Sequence, residues 1–158
     1  MKKLFLVVAS LLVGVSLFAC AGGAGTGTGA GASKYGKGKV MSLSFKTNPT
    51  TGYDWEYVFS DGDAEIVFDR EDYKMNEDSN LVGGESTRIY YFRASKEGKK
   101  KLTFTYARPW EGGEKAYDVV YELEVDKDLN ITCTSKKKGA IESKEELSFF
   151  PDPVFTNE

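Results

Sequence analysis

The side chains of this chain that could do chemistry are poorly suited to turnover. Among its 158 residues there is no histidine. Ser-His-Asp and Cys-His catalysis both need an imidazole to carry the proton, so both are excluded. His-ligated zinc is excluded as well. The two cysteines, Cys20 and Cys133, are too few for a thiolate site, so no metal and no cofactor is expected. Carboxylates remain, 24 of them. Glycosidase-type hydrolysis needs two carboxyl groups about 5–10 Å apart in a cleft. Here the acids fall in turns and on the outer faces of strands, and no pair stands out. The expected chemistry is recognition, not catalysis.

Three loops are candidates to carry that recognition, the alternatives being a plain inter-strand turn for the first and simple flexibility for the second. The first reads Asn48-Pro49-Thr50-Thr51-Gly52-Tyr53. Pro49 fixes φ and gives up its donor, Thr50 and Thr51 are stiff at χ1, and Gly52 permits a tight return at positive φ. A short, stiff loop loses little entropy when it binds. The second lies in a long acidic connection, residues 69–86, and contains Val82-Gly83-Gly84, where a second backbone could approach closely. The third reads Arg108-Pro109-Trp110 and runs into Glu111-Gly112-Gly113. A Trp just beyond a strand end, behind a rigid Pro, is expected to stay partly exposed. Trp and Arg are the residues most enriched at interface hot spots. The plainer alternative has Trp110 capping the core while Arg108 stacks on an aromatic neighbour.

The elements that must position these loops are strands. Met41, Leu43 and Phe45 alternate with polar residues, as do Tyr53, Trp55, Tyr57 and Phe59. So do Leu102, Phe104 and Tyr106, and the longest run, from Tyr117 through Val119, Tyr121 and Leu123 to Val125. Period two is the mark of half-buried strands. Residues 64–68 read as a short strand, residues 89–94 as a central one apolar on both faces, and residues 129–133 as a further one. Cys133 sits in that last alternation as a small core residue. Turn signals at residues 61–63, 96–98, 111–113 and 126–128 separate the runs. No stretch of the body has a helical period. The fold class expected is all-β, an antiparallel two-sheet sandwich of immunoglobulin-like architecture without the immunoglobulin cysteine pair. In such a sandwich alternate connections lie at one end, so the three loops can converge.

The termini have their own character. Lys2 and Lys3 precede an apolar run over residues 4–18, which reads as an export signal. Leu17-Phe18-Ala19-Cys20 resembles a bacterial lipobox, which implies cleavage before Cys20 and its lipidation. Residues 21–33 are small and polar, a flexible tether of roughly 20 Å. The expected organisation is a signal peptide over 1–19, a lipidated tether over 20–33, a binding domain over 34–135 and a C-terminal extension over 136–158. Without residues 1–19 the chain carries 19 basic and 24 acidic side chains. That acidity argues against nucleic acid as a partner. The lysine run at 136–138 reads as a break, and Pro151 and Pro153 argue against a paired central strand. Phe149 to Phe155 could touch a partner, cover a sheet edge, or do neither.

Taken in order, the loops resemble those of the chagasin family, protein inhibitors of papain-like cysteine peptidases. The likeness spans about residues 40–125. Asn48-Pro49-Thr50-Thr51-Gly52-Tyr53 matches the family's first signature and Arg108-Pro109-Trp110 its third. Leu81-Val82-Gly83-Gly84 departs from the second, since Leu81 replaces the first glycine of Gly-x-Gly-Gly. Tyr73, Asp78, Ser79 and Leu81 are also similar to family members. The resemblance implies a wedge. Thr50 and Thr51 would cover the catalytic cysteine of the peptidase, Gly83 and Gly84 would lie along the non-primed subsites, and Arg108 and Trp110 on the primed side. Inhibition would be reversible, competitive and non-covalent, by a monomer anchored to the outer face of a membrane or cell surface. A surface adhesin or carbohydrate-binding sandwich is the alternative, with Tyr53, Trp55 and Trp110 as sugar-stacking rings.

Overall fold

The computed structural model describes residues 33–60, 62, 64–75 and 85–158. Among these, nine strands and two single 3₁₀ turns build two antiparallel sheets. In chain order the strands are β1 Lys37–Gly38, β2 Val40–Thr47, β3 Asp54–Phe59, β4 Ile66–Met75, β5 Ser86–Ala94, β6 Gly98–Ala107, β7 Lys115–Val125, β8 Ile131–Lys138 and β9 Val154–Thr156. One sheet runs β1-β8-β7-β6-β3 and the other β4-β5-β2-β9. The architecture is the expected all-β, immunoglobulin-like sandwich.

Alternation explains the core. Met41, Leu43 and Phe45 of β2 face Leu102 and Phe104 of β6 and Val119, Tyr121 and Leu123 of β7, all fully buried. Phe45 and Phe104 lie 4.4 Å apart at their ring centroids, and Tyr90 and Phe92 of β5 close on Phe104 edge to face. Cys133 is buried and free, and burial pushes its thiol up to about 11. It is an inert core residue.

Three sequence expectations need correction. The strand expected over 64–68 continues to Met75, past an irregularity between Phe68 and Arg70, so the second connection is shorter than residues 69–86. From Phe68 onward the residues of β4 are exposed at a sheet edge, and a strand without a buried face shows no alternation. Leu129 is not in a strand but takes φ 59° in the β7–β8 turn. The lysine run is no break, because Lys136, Lys137 and Lys138 pair with Tyr121, Val120 and Val119 of β7. β8 thus crosses the boundary expected at 135/136.

The extension returns to the sandwich. Asp118 is buried, and its carboxylate accepts from the amides of Ala140 (3.1 Å) and Ile141 (2.9 Å). Phe150 is buried in the core, and Lys136, its side chain almost fully enclosed, pairs with Asp152 and donates to the Phe150 carbonyl at 3.0 Å. Pro151 and Pro153 precede β9, which pairs with the free edge of β2. That placement is where proline is tolerated.

The ladder registers set the loops. Thr47 pairs with Ser86, Met75 with Ser86, Asp54 with Ala107, and Ala107 with Lys115. The exits of β2, β4 and β6 and the entries of β3, β5 and β7 therefore share one end of the molecule.

Candidate functional site

At that end the first loop is locked by its own side chains. Asn48 Oδ1 accepts from the Thr50 amide at 3.1 Å and from its hydroxyl at 2.6 Å. Thr51 donates its hydroxyl to the Asn48 carbonyl at 2.8 Å, and its Oγ1 accepts from the Tyr53 amide at 3.3 Å. The result is one 3₁₀ turn, Pro49–Thr51, released by Gly52 at φ +74°. Asn at the start of a turn with two hydroxyls behind it is a sequence that satisfies its own backbone.

The third loop rests on an irregularity in the β6–β7 ladder between Tyr106 and Ala107. The Arg108 amide donates to the Glu114 carbonyl at 2.9 Å, and Gly113 to the Trp110 carbonyl at 2.8 Å. A Cβ at Gly113 would collide with the carbonyls of Arg108 and Trp110, so the turn requires glycine there.

The two loops form one ridge. A Cβ on Gly52 would stand 3.5 Å from Cη2 of Trp110, so the indole lies along the glycine. The Arg108 guanidinium sits 4.8 Å from the Tyr53 ring centre and 5.6 Å from that of Trp110. Its Nε is buried without a hydrogen-bond partner, and ring faces hold the cation instead. Tyr53 stacks on Tyr106 at 5.3 Å and donates its hydroxyl to Glu114 at 2.6 Å. That hydrogen bond to the Glu114 carboxylate raises the Tyr53 phenol above its usual range. Tyr106 in turn reaches Thr51, with 3.4 Å between hydroxyl oxygens. Trp110 itself stays 54% exposed. Of the plainer alternative only one half holds: Arg108 stacks on its aromatic neighbours, but Trp110 stays open as the interface reading expects and does not cap the core.

Beside the ridge is a cleft of about 440 Å³ lined by Thr47, Tyr53, Asp54, Tyr73, Arg88 and Trp110. Arg88 closes its floor by pairing with Asp54 at 2.5 Å and Glu71 at 3.5 Å, which ties the two sheets together. The structure brings Asn48, Thr50, Thr51, Gly52, Tyr53, Arg108, Pro109 and Trp110 to one end, with the backbone of Pro49. Val82, Gly83 and Gly84 lie outside the described residues, as do Leu81, Cys20 and the tether up to residue 32, whereas Ser33 at its end donates its hydroxyl to the Cys133 carbonyl at 2.5 Å. The flanking residues Met75 and Ser86 are at the loop end. Trp55 corrects the sugar-stacking alternative. It is 3% exposed and donates its indole N–H to the Lys46 carbonyl at 2.9 Å, so it cannot be a surface ring. Sequence reasoning missed Tyr106 and Glu114, whose bracing role depends on cross-strand register.

A model of the chagasin family peptidase inhibitor I42 matches residues 35–125, more than half of the chain. The chain belongs to the chagasin family. Its place is therefore among peptidase inhibitors and not enzymes, and the family supports a cysteine peptidase as partner. The chagasin-family match spans β1 through β7 and includes both described loops of the ridge. Among solved structures, the crystal structure of the cysteine protease inhibitor EhICP2 from Entamoeba histolytica is similar. It is 25% identical, covers 55% of this chain and 78% of that chain, and gives a TM-score of 0.48. No curated protein matches.

Proposed function

We propose that this protein is a reversible, competitive, non-covalent inhibitor of papain-like cysteine peptidases, and that the loop end enters the active-site cleft. The observation that carries this reading is the fusion of two separate loops into one rigid ridge with Trp110 exposed at its side. Thr50 and Thr51 would cover the catalytic thiol, and Arg108 and Trp110 would pack on the primed side. Val82, Gly83 and Gly84 would run along the non-primed subsites. The first loop resists cleavage because its 3₁₀ turn offers no extended bond to attack. Preorganisation of this kind supports tight binding over an interface of standard size, about 1,600 Å² in total. We further propose, on the lipobox-like run ending at Cys20, that the protein is exported and lipid-anchored and acts as a monomer.

Steady-state inhibition of papain by residues 34–158 tests the reading, since the whole core lies within them. Competitive inhibition at nanomolar protein is expected. No inhibition of papain or cathepsin-like enzymes at micromolar protein contradicts it.

A further inference from the structure

The C-terminal extension returns to the loop end after the family match has ended at residue 125. β8 runs back along β7, and its last paired residue, Lys138, stands opposite Val119 near the start of β7. The chain then turns at Gly139, whose amide donates to the Asp118 carbonyl at 2.9 Å and where a Cβ would strike the Asp118 carboxylate. Lys138 Nζ donates to the Ser143 carbonyl at 2.6 Å. A single 3₁₀ turn, Leu147–Phe149, follows, and Phe150 enters the core directly after it.

The two adjacent phenylalanines have opposite fates. Phe150 is 2% exposed, whereas Phe149 is 44% exposed. Phe149 packs edge-on against Tyr117 at 5.4 Å. Tyr117 stacks on Tyr106 at 5.2 Å, and Tyr106 stacks on Tyr53 and reaches Thr51. Phe149 is thus the open end of an aromatic row whose other end is the ridge. It is held still from behind by Phe150, by the Asp118 clasp and by the bond from its own amide to the Glu146 carbonyl at 2.9 Å. Burial above all, then the neighbouring Tyr106 and the Glu145 carboxylate, raise the Tyr117 phenol to about 12.

We infer that Phe149 is a fourth contact element of the inhibitor, docking on an apolar patch at the rim of the peptidase cleft. This rests on the inhibitor reading above. Continuity favours the peptidase as occupant, because the same row of rings joins Phe149 to both described loops. It is also preorganised, so docking costs no ordering of the segment. Pro151 and β9 serve the remaining role open for this segment, since Tyr121 donates to the Pro151 carbonyl at 2.8 Å and β9 covers the edge of β2.

The test measures the inhibition constant for papain of the parent protein, Phe149→Ala and Trp110→Ala, with thermal unfolding of each. Hydrogen exchange of residues 145–150, free and in complex, is read alongside. Expected are a roughly tenfold weaker constant for Phe149→Ala through faster dissociation, little change in Tm, and slower exchange of the segment in the complex. An unchanged constant for Phe149→Ala, with Trp110→Ala impaired and exchange unaltered, overturns the inference and leaves the inhibitor reading standing. Failure of the parent protein to inhibit overturns both. Should Phe149→Ala unfold, the exchange result on the parent protein decides alone.

Discussion

The two ends of the sandwich use the same turn vocabulary for opposite purposes. At the end away from the loops, the β7–β8 turn is closed on itself. Asp126 Oδ1 accepts from the amides of Asp128 and Asn130, both at 2.9 Å, and from the Asn130 side chain at 3.0 Å. Lys100, its side chain 4% exposed, pairs with Glu65 at 2.6 Å and donates to the Ser60 carbonyl at 3.0 Å. Every one of those groups faces inward or is satisfied locally. At the loop end, Asn48 performs the same self-capping as Asp126, but the turn it builds projects, with Thr50 exposed at its tip. Beside it an arginine is held by rings instead of a carboxylate, and an indole is left half open. Internal satisfaction is a stability device at one end and a preorganisation device at the other.

That contrast can be broken from either side. The largest effect on stability is expected at the far end, from Lys100→Ala, which strands Glu65 without its counter-charge. Tm should fall by about 10 °C while the inhibition constant of the folded protein holds. A large change in inhibition with unchanged Tm would reverse the assignment of the ends. Trp110→Ala should show the converse, weakening papain binding by about 2 kcal/mol or more with Tm nearly constant. Inhibition kinetics beside a melting curve decides it.

Gly52→Ala is expected to sit between these. The strain comes from φ +74° and not from crowding, because the 3.5 Å approach to Trp110 is ordinary contact. Stability should drop by about 1 kcal/mol, and inhibition several-fold as the indole loses its backing. Equal inhibition by parent and variant would show that the turn need not be held in this shape.

Much of this was legible in the chain before its structure. β2, β6 and β7 announced themselves because one face of each is buried and the other is not, and β3 because its apolar side alternates. Residues 48–53 and 108–110 stood out because stiff or bulky residues in a turn demand a reason. The hidden parts share a physical cause. The second half of β4 buries neither face, so no pattern records it, and the lysines of β8 pair through backbone that side-chain polarity conceals. Tyr106, Glu114 and Tyr117 acquire their roles from register across β3, β6 and β7, which a linear pattern does not carry. Phe149 and Phe150 are identical in sequence terms and differ only in which way the chain turns them.

The smallest effects concern the braces and the acid response. Glu114→Gln keeps an acceptor for Tyr53 but removes the charge, so a twofold to threefold weaker inhibition constant is expected. A thirtyfold loss would place Glu114 in contact with the peptidase. Asp126 has its carboxyl held down to about 2, first by the amide hydrogen bond from Asn130, from an ordinary value of 3.8. A depressed carboxylate contributes stability that is present above about pH 4 and lost as pH falls toward 2. Denaturant titrations between pH 5 and 2 should show that loss, reduced in Asp126→Asn. A flat profile in the parent protein would contradict it.

In the proposed complex the ridge occupies the cleft over the catalytic thiol. The direct measurement is the rate at which a peptidyl epoxide, bulky enough to fill the cleft, alkylates the papain thiol in the presence of the inhibitor. Alkylation should slow in proportion to the complex formed, and Trp110→Ala should protect only at higher concentration. A saturated, inhibited complex in which the thiol is alkylated at the free rate would contradict it.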